Sequence, residues 1–128
     1  MKMTNEEQNR LAEELAKLPE TIMKKELSIL NVANLLETAE VDAEFERAIV
    51  MEQITRQKDT DGKFVFTNES ARRAEFLIQS KASEELTDKE IIGKNLRKQL
   101  VMGKIELTFL VNTLSVTRSI ARLVEVKE

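Results

Sequence analysis

The 128-residue chain contains no cysteine and no histidine. Without cysteine it forms no disulfide and offers no thiolate ligand to a metal. Without histidine it lacks the commonest general base and the commonest zinc ligand. Ser-His, Cys-His and HExxH arrangements are therefore excluded. Tryptophan and tyrosine are absent as well, and the five aromatic residues are all phenylalanine. That removes most of the stacking surface on which single-stranded nucleic acids are held. Glycine occurs only at Gly62, Gly93 and Gly103, and this spacing writes no phosphate-cradling loop. No apolar run approaches the roughly 20 residues of a membrane span, and the N-terminal stretch is polar rather than signal-like. These absences predict a cytoplasmic protein that is not an enzyme, with no catalytic residues, no cofactor, no metal site and no membrane partner.

What is present points to helix. The length predicts a single domain over 1–128. The net charge of −3 hides an asymmetry. Residues 1–55 carry 6 basic and 12 acidic side chains, a net of −6, whereas residues 91–124 carry Lys94, Arg97, Lys98, Lys104, Arg118 and Arg122 against Glu106 alone, a net of +5. Two readings of this contrast stand side by side. An acidic first arm complements a basic last arm, or the basic arm meets nucleic acid or an acidic partner.

Along the chain, Thr4-Asn5-Glu6-Glu7 reads as a capping box that opens a helix. Pro19 lacks an amide hydrogen and crowds the carbonyl four residues back, so a kink, an end or a new helix start is expected there. Beyond it, Ile22, Ile29, Ala33, Leu36, Ala43 and Val50 mark one helical face. Met23, Leu27, Leu30, Val41, Phe45 and Ala48 mark an adjacent one. Together they predict a helix buried on more than one side.

The period changes at residues 57–66. Asp61-Gly62 favours a tight turn whose two central positions take positive φ, and Lys63-Phe64-Val65-Phe66 has strand character. A small β-hairpin over 57–66 is predicted, with Phe64 and Phe66 packed onto the helix ends. Thr67 or Asn68 then caps a helix whose apolar face is Ala71, Ala74, Leu77 and Ile78. Thr87-Asp88-Lys89-Glu90 is a second capping box, with Leu86 and Ile91 as its hydrophobic staple. The last helix is predicted from about Asp88 to Val124, its inner face lined by Ile92, Leu96, Leu100, Leu107, Leu110, Leu114, Ala121 and Val124. Gly93 and Gly103 inside it predict close approach of another helix, since each costs about 1 kcal/mol against alanine.

The arms on either side of Asp61-Gly62, about 4–57 and 68–126, are similar in length. The predicted fold is therefore mainly α: a long antiparallel, coiled-coil-like helical hairpin with a small β-hairpin at its turn. A compact four-helix bundle is the alternative.

Candidate sites are few. Glu40 with Glu44, and Asp42 with Glu46, are carboxylates one helical turn apart that suit a hard divalent ion. In a chain without histidine they read better as a solvated acidic face. Lys58-Asp59-Thr60-Asp61-Gly62 resembles the opening of a calcium loop, but the ligand pattern is incomplete and a turn is the better reading. Arg56, Lys58, Lys63, Arg72 and Arg73 would make a basic tip, diluted by Asp59, Asp61 and Glu69. The stronger anion-binding candidate is Lys94, Arg97, Lys98 and Lys104, whose phosphate contacts would be salt-sensitive and sequence-independent.

The stretch from Lys58-Asp59-Thr60-Asp61-Gly62-Lys63-Phe64-Val65-Phe66 through Thr67-Asn68-Glu69-Ser70-Ala71-Arg72-Arg73-Ala74-Glu75 resembles the tip of small phage and prophage helical-hairpin proteins. These share a Lys-Asp-x-x-Gly-Lys turn, an aromatic residue, a Ser/Thr-Asn-Glu cap and a return helix. The resemblance covers about a sixth of the chain. It implies a mobile-element origin, a location in the host cytoplasm, and a binding role rather than catalysis. The expected function is accordingly an interaction protein that self-associates or docks on a protein partner, an inhibitor of host defence among the possibilities. The alternative is a nucleic-acid-binding accessory of phage recombination or replication.

Overall fold

The computed structural model describes residues 2–127. Among these the chain forms three helices, α1 (Asn5–Arg56), α2 (Glu69–Ala82) and α3 (Glu84–Lys127), and no strand. The mainly helical expectation holds. Contacts gather into two compact units. One joins the chain up to Ala33 with the chain from Lys98 onward, and the other is Asn34–Arg97.

Helix α1 begins where its cap predicts, with the Thr4 hydroxyl accepting the Glu7 N–H at 3.2 Å. It then runs through Pro19 without ending, so neither the end nor the new helix start expected there occurs. The proline is exposed on the solvent side, while Leu15, Leu18 and Ile22 on the other side are half-buried or buried. Continuous burial across the proline offsets the roughly 3 kcal/mol that it costs in a helix interior.

In the first unit the inward positions of α1 are Leu11, Leu15, Leu18, Ile22, Lys25, Ile29 and Val32, and those of α3 are Leu100, Gly103, Leu107, Leu110, Leu114, Thr117, Ala121 and Val124. Both series step by four and three residues, the 3.5-residue period of coiled-coil packing. The two segments run antiparallel, since Lys25 pairs with Glu106 while Ile29, one turn on, meets Gly103 one turn back. The segments come close at Gly103: a β-carbon there would lie 3.1 Å from Ile29 Cγ1. Gly93 meets nothing nearer than its own helix's Arg97, at 3.6 Å. The close approach expected of both glycines is therefore seen at one.

In the second unit Leu36, Ala39, Ala43, Glu46 and Val50 of α1 face inward, as do Leu86, Lys89, Gly93 and Leu96 of α3. Glu40 with Arg97 at 3.4 Å, Glu46 with Lys89 at 3.5 Å and Arg47 with Glu90 at 3.4 Å tie the two segments in antiparallel order. The two half-exposed pairs, Glu40–Arg97 and Arg47–Glu90, fix direction more than they stabilise, each contributing about 0–1 kcal/mol. Ile54 and Leu86 are the two largest fully buried side chains among the described residues.

The turn differs from a β-hairpin. One isolated antiparallel bridge, Lys58 with Phe64, is all that forms. Asp61 does not take positive φ; Gly62 does, at 79°. The cause is Asp59, whose carboxylate accepts the N–H groups of Asp61 at 2.9 Å and Lys63 at 3.0 Å. Its carbonyl takes the Gly62 N–H at 3.1 Å, and its own N–H donates to Lys63 at 2.8 Å. This is a three-residue loop closed by a glycine in the left-handed region, not a two-residue one. The aromatic pair also divides: Phe66 is half-buried and Phe64 is exposed, with Lys58 Nζ 5.1 Å from its ring centre.

Asn68 is the cap of α2, its side chain accepting the Ala71 N–H at 2.8 Å. The boundary after α2 falls at Ser83 rather than Thr87. Ser83 is extended, donates its N–H to Gln79 at 2.9 Å and accepts the Leu86 N–H on its hydroxyl at 3.3 Å. One residue thus closes α2 and opens α3. Starting α3 at Glu84 places Glu84 and Glu85 in its first turn, where the helix dipole favours them, and carries Leu86 into the interior. A start at Thr87 would forfeit that burial. The Leu86–Ile91 staple does not form, since Leu86 is buried within the helix and Ile91 is exposed.

Candidate functional site

The acidic pairs on α1 are engaged rather than converged. Glu40 is held by Arg97 and Glu46 by Lys89. No group of three or more metal-ligating side chains is assembled among the described residues. Asp59 spends its carboxylate on backbone N–H groups of the turn, so it acts as a turn former.

At the tip, Thr55, Arg56, Phe64, Phe66, Thr67 and Arg72 line a cavity of about 330 Å³. Of the five cations expected at this tip, Arg56 pairs with Glu52 at 2.9 Å and Arg73 with Glu69 at 2.7 Å, Arg72 donates to the Phe66 carbonyl at 3.4 Å, and Lys58 lies over the Phe64 ring. Two of the five are thus paired with acids of their own helices.

The four residues singled out for nucleic acid divide between the units. Lys94 and Arg97 belong to the second, and Lys98 and Lys104 to the first. Arg97 is committed to Glu40. Lys94, Lys98 and Lys104 are exposed and make no salt bridge among the described residues.

The largest unassigned feature is apolar. Within the first unit the second face of α1 shows Met23, Leu27 and Leu30, each more than half exposed. In the second unit Val41 and Phe45 are exposed on α1, as are Leu77 and Ile78 on α2 and Ile91 and Ile92 on α3. Three expectations are thereby corrected. The second face of α1 is not covered within the chain, the apolar face of α2 is turned outward, and Ile92 is not on the inner face of α3. The physical reason is shared: a helix packed along one seam buries one stripe, and apolar positions outside that stripe find no partner.

On α3 in the first unit, Met102, Ile105, Phe109, Val116 and Leu123 are all more than half exposed, Phe109 at 70%. Reading the sequence for one leucine stripe missed them. The signal was available as a second series, 102, 105, 109, 112, 116, 119 and 123, with the same three-and-four spacing on the opposite face. Over an 18-residue window α3 also reaches a mean hydropathy of 1.3, so by length and composition alone it is long and apolar enough to cross a membrane. The uncharged run within it extends only from Leu107 to Thr117, with Lys104 and Glu106 just before and Arg118 just after.

No protein-family model matches the chain, and neither the curated proteins nor the solved structures yielded a match.

Proposed function

We propose that this chain is a non-enzymatic interaction protein of phage or mobile-element origin, acting in the host cytoplasm as a long antiparallel helical hairpin that self-associates or docks on a protein partner. One observation carries the reading. Among the described residues 19 large apolar side chains are exposed, while the buried hydrophobic core holds 8 residues. Isolated exposed apolar residues are ordinary, but stripes of them on several helix faces mark interaction surfaces.

Sedimentation at high micromolar concentration is expected to give an assembly larger than one chain. A monomer that also fails to enhance the fluorescence of an apolar-surface dye would overturn the reading.

A second reading rests on Lys94, Lys98 and Lys104, which make no salt bridge among the described residues, together with Arg97: a nucleic-acid-binding accessory of recombination or replication. Its expected signature is binding that weakens steeply with salt, with a log–log slope of about −0.9 per phosphate contacted on duplex DNA. Changing the four residues to glutamate should abolish that binding. Unchanged affinity would remove the reading.

A further inference from the structure

We infer that the outer stripe of α3, Met102, Ile105, Phe109, Asn112, Val116, Ser119 and Leu123, is a second coiled-coil seam whose occupant is the same stripe of a second copy of this chain. The inference rests on the self-association reading above and deepens it by naming the surface.

The first ground is periodicity. At 100° per residue, positions 102, 109, 116 and 123 and positions 105, 112 and 119 fall in one band on the side of α3 opposite Leu100, Leu107 and Leu114. Leu114 is buried against the first unit's own seam, while Phe109 remains 70% exposed. A strict three-and-four repeat is what a helical partner reads, because knobs must meet holes every 3.5 residues. A lipid acyl phase imposes no such repeat.

The second ground is the polar residue in the stripe. Asn112 stands at its middle, ten residues after Met102 and eleven before Leu123. Buried against an unrelated apolar helix, its amide would lose water without a partner, at about 1–3 kcal/mol. In an interface with two-fold symmetry a patch meets its own image. A residue at the centre then faces its own copy, and each amide both donates and accepts. A single asparagine at such a seam position sets register and strand number in coiled coils. The same residue, with Ser119 and the nearby Lys104 and Glu106, argues against hydrocarbon as the occupant.

The test uses full-length protein in three forms: unchanged, Phe109→Glu on this stripe, and Leu27→Glu on the exposed face of α1. Mass is read by sedimentation and helix content by circular dichroism. The unchanged chain and Leu27→Glu are expected at twice the chain mass, and Phe109→Glu at the single-chain mass with its helix content retained. Because the chain has no cysteine, Asn112→Cys supplies a second readout that needs no loss of folding. Under mild oxidation it should give a covalent dimer, whereas Glu44→Cys should not.

If Leu27→Glu dissociates the assembly and Phe109→Glu does not, this stripe is the wrong surface while self-association stands. If the unchanged chain is monomeric at high micromolar concentration, the self-association reading itself fails and this inference with it. If the monomer instead floats with phosphatidylcholine vesicles and Phe109→Glu does not, the occupant is lipid and the inference is overturned.

Discussion

Replacing Ile54 with alanine is expected to lower the unfolding free energy by about 2–5 kcal/mol. Ile54 is 0% exposed, near the end of α1. The substitution removes three buried carbons and leaves a cavity that its neighbours fill only in part. The seam of α1 steps from Val50 to Ile54 rather than to Gln53, because isoleucine is the side chain the interior can take. Thermal unfolding should move down by roughly 8–20 °C, at about 4 °C per kcal/mol, where the ranges for smaller and larger domains meet. The exposed Leu77, at 63%, is the control. Its alanine variant should stay within about 0.5 kcal/mol. Equal losses at both positions would mean that the second unit is not packed around Ile54.

The contrast between Ile54 and Leu77 also shows what was legible in the sequence. Local hydrogen-bond chemistry was readable. Thr4 and Asn68 cap α1 and α2 as their side chains demand, because a cap depends on residues within one turn. The seam residues Ile22, Ala43, Val50, Leu114 and Val124 were readable from spacing, and all five are buried. Competition between two acceptable signals was not readable. Thr87-Asp88-Lys89-Glu90 is a sound capping box, yet Ser83 wins because it brings Leu86 inside, a tertiary gain that no local motif encodes. Pro19 likewise does not end the helix, because the seam runs past it. The strand propensity of Lys63-Phe64-Val65-Phe66 is real, but Asp59 folds the turn into three residues and the Asn68 cap begins soon after. One bridge is left.

For the candidate surface, the sequence showed which side chains are apolar but not which of them lack a partner. Met23, Leu27 and Phe45 were read as a second buried face, although a single seam within each unit leaves them in water. The charge asymmetry was read in two ways, and the ion pairs divide it. Glu40–Arg97 and Glu46–Lys89 join acidic α1 to basic α3, whereas Arg47–Glu90 and Lys25–Glu106 run against the overall trend. Net charge over an arm thus predicts local partners poorly, because pairing is set by register along the seam and not by the sum.

Gly103→Leu is expected to destabilise the first unit, with a loss of about 3 kcal/mol or more before the gain in helix propensity. The argument begins from the 3.1 Å that would separate a β-carbon at this position from Ile29 Cγ1. A leucine adds three further carbons at this close approach. Overpacking of this kind costs about 1–3 kcal/mol even where neighbours yield, and here the segments must move apart. The propensity gain over glycine offsets about 1 kcal/mol. Gly93→Ala isolates that gain, since its nearest neighbour is the flexible Arg97 side chain at 3.6 Å. It should stabilise by about 0.5–1 kcal/mol. Ile29→Ala alone should destabilise by about 2 kcal/mol or more. Combined with Gly103→Leu it opens the space that the leucine needs, so the double variant should be more stable than the sum of the two losses by at least about 1 kcal/mol. Denaturant titration of the four proteins closes the cycle. Strict additivity would mean that Ile29 and Gly103 do not meet, and the antiparallel register of the first unit would then have to be redrawn.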